Sequence, residues 1–157
     1  MSFKAPYISA QQLRSLAEDF LSQHNPDRQI PVPIERIVEV DFGMDIVPMP
    51  GLQSGYAIVA FITKDLQEIR IDEYVYLNRV TRYRFSLAHE LAHRILHGDL
   101  WKTIEFRDIA TWKAAVADSI PDDQYGFLEY HANCFAGFVL VPRNELRAAF
   151  FTCIELV

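Results

Sequence analysis

The 157-residue chain lacks any stretch approaching the roughly 20 apolar residues that a membrane span requires. Its first twenty residues, MSFKAPYISAQQLRSLAEDF, contain no continuous apolar segment of the kind that forms a secretion signal. It has no basic excess either. The net charge is −6 and the pI about 5.3, which argues against a protein that binds nucleic acid directly through its phosphates. There are only two cysteines, Cys134 and Cys153, and their spacing gives no support to a disulfide. They read as two reduced, buried thiols. Internal repeats, low-complexity tracts and Gly/Ser linkers are missing. What remains is the expectation of a cytoplasmic, single-domain protein over residues 1–157, with no membrane partner. The chain stops in Phe-Thr-Cys-Ile-Glu-Leu-Val, an apolar end that reads as paired or truncated. Half of the residues are hydrophobic and 13% are aromatic, enough for a sizeable core.

Against this background one pentapeptide stands out: His89-Glu90-Leu91-Ala92-His93, an HExxH motif. In a chain with 5 histidines, roughly 0.01 such matches are expected by chance for a motif of this form. On an α-helix the two imidazoles lie only about 40° apart, so both can reach one metal ion. Glu90 lies about 100° round from His89, at the rim of that face, where it can touch water rather than metal. Neutral nitrogen ligands, an open coordination position and a carboxylate base are what zinc hydrolysis needs.

The surrounding pattern predicts an N-capped amphipathic helix over 9–24, a short helix from Pro33 to about Val40, and a strand over 44–49. A β-hairpin is expected from 56–63 and 68–72 around Lys64-Asp65-Leu66-Gln67. The motif helix should start near Asn78 or Thr81 and end at His97-Gly98, with Gly98 just past its C-terminus. Its flank of Phe85, Ala88, Leu91, Ala92, Ile95 and Leu96 is apolar. Further helices are predicted over 108–119, from Asp122 or Asp123 to about Val141, and over 144–151.

A catalytic zinc takes three protein ligands. Glu129 and His131 are both candidates, and only one of them can face the metal on a common helix. Glu129 shares its face with Ala132, Asn133, Ala136 and Gly137, small residues that permit close approach of the motif helix. Helical geometry therefore favours Glu129. His131, directed about 200° away, reads as a core histidine with a hydrogen-bond partner. Asn133, one turn on, can reach a ligand imidazole from behind. His97 is a poor ligand candidate, because about 12 Å of rise separates it from His89. It reads instead as a residue favoured by the helix C-terminus or as a wall of the cleft. Tyr125, Tyr130 and His97 are unranked candidates for a donor to the transition state. Arg79, Arg82 and Arg84 oppose the dipole at the helix start. Pairing with Asp72 or Glu73 is the expected explanation, with Arg82 as an anchor for an acidic substrate as the alternative.

Two blocks carry a family resemblance. Residues 84–97, RFSLAHELAHRILH, and 129–142, EYHANCFAGFVLVP, resemble the "RFTLAHELGHxxLH" and "ExxANxFAxxLLxP" segments of the ImmA/IrrE zinc metallopeptidases. The resemblance covers roughly residues 30–142. Ala92 stands where glycine is common, Gly137 where a larger residue is common, His131 is additional, and the link between the blocks is long. The resemblance implies His89, His93 and Glu129 as gluzincin-like metal ligands and Glu90 as catalytic base. It also implies a protein substrate such as a helix-turn-helix repressor or an antitoxin.

The resulting expectation is an α+β fold, with a zincin-like helical core beside a small antiparallel three-stranded sheet. The expected activity is that of a zinc-dependent endopeptidase cleaving a protein. The competing expectation is a non-catalytic, metal-containing module that docks a regulator. In either case one strand of the hairpin can add a strand of the partner to its edge.

Overall fold

A computed structural model describes residues 4–105 and 108–156; Val157, the last residue of the apolar end, lies outside them. Helix α1 (Ala10–His24) opens with a capping box. The Ser9 side chain accepts from the Gln12 backbone N–H, and the Gln12 side chain accepts from that of Ser9. Its buried stripe is Leu13, Ala17, Phe20 and Leu21. A short α2 (Ile34–Arg36) follows Pro33 and continues into a π-helical turn over Ile37–Asp41.

The sheet contains β1 (Asp45–Met49), β2 (Ala60–Ile62) and β3 (Glu68–Asp72), with α3 (Leu52–Tyr56) between the first two. Its order is β1-β3-β2. The β2–β3 hairpin is antiparallel, but β3 returns between its two neighbours and runs parallel to β1. The sheet is therefore mixed, not wholly antiparallel as expected, because α3 reverses the chain before the hairpin begins. Pro48 is tolerated because β1 is an edge strand.

Helix α4 (Glu73–Asn78) is capped by Asp72, whose side chain accepts from the Val75 N–H and also from the Gln53 N–H. The motif helix, α5 (Val80–Trp101), starts without a side-chain cap and runs past Gly98 rather than ending there. Two facts explain the extension. A Cβ on Gly98 would sit 3.3 Å from the Leu66 side chain, so glycine serves a close approach of the hairpin turn. Beyond it, Trp101 is buried, which outweighs the roughly 1 kcal/mol that a mid-helix glycine costs. Arg94 ties the same turn to α5 through the Leu66 carbonyl, at 2.7 Å.

Helices α6 (Ile109–Ser119), α7 (Asp122–Leu140) and α8 (Arg143–Glu155) complete the chain. The hydrophobic core joins α1, α5, α7 and the sheet through residues such as Ala17, Phe20, Ile69, Leu87, Leu91 and Phe135. Of the expected apolar flank of α5, Phe85 and Ile95 are exposed, and Ala88, Leu91 and Ala92 are buried. The α+β class holds. No helix among the described residues is long and apolar enough to cross a membrane. The cysteines form no disulfide, but neither is fully buried as expected: Cys134 is half-buried and Cys153 exposed.

Candidate metal centre

α5 and α7 pack against each other, and the candidate site lies in their seam with β2 as a third wall. One turn of α5 separates His89 from His93, and their Nε2 atoms come within 3.1 Å. Glu129 reaches across from α7. One of its oxygens lies 3.4 Å from His89 Nε2 and the other 3.3 Å from His93 Nε2. When each of the three side chains offers one atom, those atoms lie within 4.8 Å of one another.

The hydrogen bonds around these groups decide what the arrangement can hold. His89 Nδ1 is 3.0 Å from Asn133 Oδ1, an acceptor, so its proton sits on Nδ1 and its Nε2 is bare. A bare imidazole nitrogen facing a second imidazole nitrogen and a carboxylate repels both unless a cation or a proton lies among them. For tetrahedral ligands held about 2.0–2.1 Å from an ion, ligand atoms are separated by about 3.4 Å. Separations of 3.1, 3.3 and 3.4 Å suit such a site.

The electrostatics point the same way. Burial alone would lower the affinity of His89 for a proton, but the Glu129 hydrogen bond, the Glu90 and Glu129 charges and Asn133 together raise its pKa. Burial works to raise the pKa of Glu129, yet hydrogen bonds and charges from His89 and His93 hold it well below the usual carboxylate range. The carboxylate is thus ionised and committed to a positive partner.

Glu90 is buried at the edge of the cluster. Its Oε2 accepts from the backbone N–H of Ile62 on β2, at 3.1 Å. Burial pushes its pKa up, against the lowering pull of His93 and His89. A carboxylate so placed takes a proton more readily than an exposed one.

His89, Glu90, His93, Glu129 and Asn133 line one cleft of about 380 Å³, with Tyr125 and Arg82 also in its walls. Burial, with the charge and hydrogen bond of Glu129, raises the Tyr125 phenol above its ordinary value, so it stays a neutral donor. Two other candidate contacts do not reach this cleft. Tyr130 is 48% exposed on α7 and absent from the lining. His97 is buried behind His93, 3.0 Å away through their Nδ1 atoms, and faces a different cavity. His131 is also buried, and its Nδ1 lies 3.4 Å from His97 Nε2.

The arginines at the head of α5 are not explained by Asp72 or Glu73. Arg84 donates to the Val32 carbonyl at 2.6 Å, Arg79 lies over the Tyr74 ring, and Asp72 is occupied as a cap. Gly137 does not serve close helix packing, since a Cβ there would meet nothing within 4 Å.

Sequence reasoning missed Trp101, whose ring stacks on His93 with centroids 4.5 Å apart and planes 19° from parallel. It lies eight residues after His93, and that spacing would have revealed it had the helix been carried through Gly98. The role of the Ile62 N–H was also missed, since it depends on a tertiary contact.

The family model described as the IrrE N-terminal-like domain, Peptidase_M78, matches residues 41–155. No curated protein matches the sequence. Among solved structures, the chain is similar in fold to a Mycobacterium tuberculosis transcriptional regulator, with TM-score 0.58 at 21% identity. The likeness covers 91% of this chain and 47% of that one, so the chain spans about half the length of that protein.

Proposed function

The chain belongs to the Peptidase_M78 family of IrrE N-terminal-like domains, and from that premise we propose that residues 1–157 form one zinc-dependent endopeptidase domain. The carrying observation is the convergence of His89, His93 and Glu129 around a point suited to a cation, with Glu90 buried beside it. In this reading His89, His93 and Glu129 hold the metal. Zinc held there would supply Lewis-acid polarisation and make water a stronger acid near neutral pH.

The remaining work falls to the chain's own side chains. Glu90, anchored by the Ile62 N–H, takes the proton from the attacking water and returns it to the leaving amine. Asn133 fixes His89 in the Nδ1–H tautomer. Tyr125 donates a hydrogen bond toward the developing negative charge. β2 lies at a sheet edge beside the cleft, suited to receive an extended segment of substrate. The substrate class, a helix-turn-helix repressor or an antitoxin, follows from the family resemblance.

A second reading is a metal-holding module that docks a regulator without cutting it. Its support is that the similar solved structure is a transcriptional regulator. The retained Glu90 speaks against it, because a structural metal needs no base.

The test is metal content and cleavage together. Purified protein should carry about one zinc per chain, and His93→Ala or Glu129→Ala should lose most of it, since three ligands make one site. Full zinc in Glu129→Ala would overturn the ligand set. Zinc-loaded protein that binds the partner encoded beside its gene but never cuts it would favour the docking module.

A further inference from the structure

We propose that His97 and His131 are positioning residues for the ligand His93. They form a line of imidazoles that holds the His93 proton on Nδ1 and leaves its Nε2 free for the metal. This rests on the metal-centre reading above and goes beyond it, since neither residue touches the metal.

One proton direction runs through the three rings. His93 Nε2 faces His89 Nε2 and Glu129, so ligation requires it bare. A neutral imidazole carries one N–H, which must then be on Nδ1. That atom lies 3.0 Å from His97 Nδ1, and two N–H groups cannot face each other. His97 therefore accepts at Nδ1 and carries its own proton on Nε2. His97 Nε2 is a long 3.4 Å from His131 Nδ1, which must accept in turn. His131 is then left with its proton on Nε2.

Among the described residues, His131 Nε2 is the buried side-chain polar atom without a hydrogen-bond partner. An unpaired N–H in the core is a cost that an apolar residue would avoid. Acceptor service to His97 accounts for a polar ring at that place. The opposite direction would leave a better-satisfied core end, but it puts the His93 proton on Nε2, where it blocks ligation.

Burial makes the arrangement consequential. His93, His97 and His131 are 2%, 4% and 1% exposed, so solvent cannot stand in for a lost acceptor. His89 differs, because its partner Asn133 is exposed and water can replace it. Trp101 stacks on the face of His93 and sets the plane of the ring, and His97 sets its rotation within that plane.

Two measurements on the full chain test the proposal. The first is long-range ¹H–¹⁵N correlation on zinc-loaded, histidine-labelled wild type. It should show the proton on Nδ1 of His93 and on Nε2 of both His97 and His131. A zinc-loaded protein with the His97 proton on Nδ1 overturns the proposal, and this measurement needs no variant to fold. The second is zinc affinity by chelator competition. His97→Phe should weaken binding about 10- to 100-fold. His97→Gln, whose amide oxygen can accept from His93 Nδ1, should recover most of it. A folded His97→Phe that binds zinc like wild type, or a Gln variant no better than Phe, overturns the relay alone. A wild type that takes up no zinc, or a His93→Ala that keeps all of it, overturns the metal-centre reading and this proposal with it.

Discussion

Replacing Glu90 with glutamine separates the proposed chemistry from everything else the residue does. Glu90 is 8% exposed, and its one backbone bond is to the Ile62 N–H at 3.1 Å. A glutamine oxygen can still accept that bond. The change weakens a charged acceptor to a neutral one, worth about 1 kcal/mol, and offsets this by removing the desolvation penalty of a buried carboxylate. Fold stability should therefore move by no more than about 1 kcal/mol. Zinc content should also survive, because the metal-capable group is His89, His93 and Glu129 without Glu90. Turnover should not survive. The amide cannot accept a proton, and losing a general base costs about 10²–10⁴-fold, or roughly 2.7–5.5 kcal/mol in the barrier. The assay mixes zinc-loaded wild type and variant with the partner protein and follows both by intact mass spectrometry, with thermal melts and metal content alongside. The variant should bind the partner and accumulate the uncut complex. Cleavage by Glu90→Gln at the wild-type rate would refute the assignment of the base.

Zinc affinity should fall on acidification. The His89 pKa is raised above its ordinary value in the metal-free site, so proton competition begins above about pH 6.5 and deepens by about a decade per unit; affinity flat from pH 8 to 5 would rule out histidine ligation. Glu129 should add no competition over that range, since its pKa is lowered, and a titration showing a carboxylate proton competing there would contradict this. Gly137→Ala should raise stability by about 0.5–1 kcal/mol in denaturant melts, because the site is helical and a Cβ meets nothing within 4 Å; a loss of stability would mean an unseen close approach. Arg82→Ala should raise KM for an acidic substrate segment while leaving zinc content alone, and unchanged cleavage kinetics would remove Arg82 as an anchor.

The part of the site that follows from local helical period was legible in the sequence. The i to i+4 spacing of His89 and His93 sets both rings on one face, and the same period directs Glu129 and Asn133 to one side of α7. What was not legible depends on contacts distant in sequence. Gly98 carries the signature of a helix end, yet burial of Trp101 and the approach of Leu66 decide that the helix continues. With the helix stopped at Gly98, Trp101 could not be seen to stack on His93. His131 was expected in the core with a partner. It has one at Nδ1 and none at Nε2 among the described residues, a detail that no periodicity encodes. Strand order escaped for the same reason. Alternation shows which residues make a strand, but not which neighbour the last strand will choose.

The position of β2 explains why Glu90 and the sheet belong to one device. Thr63 donates to the Glu68 carbonyl and the Val59 carbonyl accepts from Asp72, so the backbone groups of residues 59, 61 and 63 turn toward β3. Those of Ala60 and Ile62 turn outward, toward the cleft side. At Ile62 the outward N–H is already taken by Glu90, which leaves Ala60 as the position that offers both its N–H and its carbonyl to an incoming chain. An extended segment laid along this edge can pair at Ala60 and must leave the edge where the Glu90 carboxylate begins. In the proposed reading, the residue that ends this edge is also the base that needs the scissile peptide beside it. A cleft of about 380 Å³ holds only a few side chains, so a folded domain cannot enter. A protein substrate of the proposed kind would have to offer a loop, a terminus or a locally unfolded stretch. Limited cleavage within a flexible segment of a folded partner is therefore the outcome this geometry predicts. Efficient cutting inside a rigid helix of that partner would show that the β2 edge is not the docking surface.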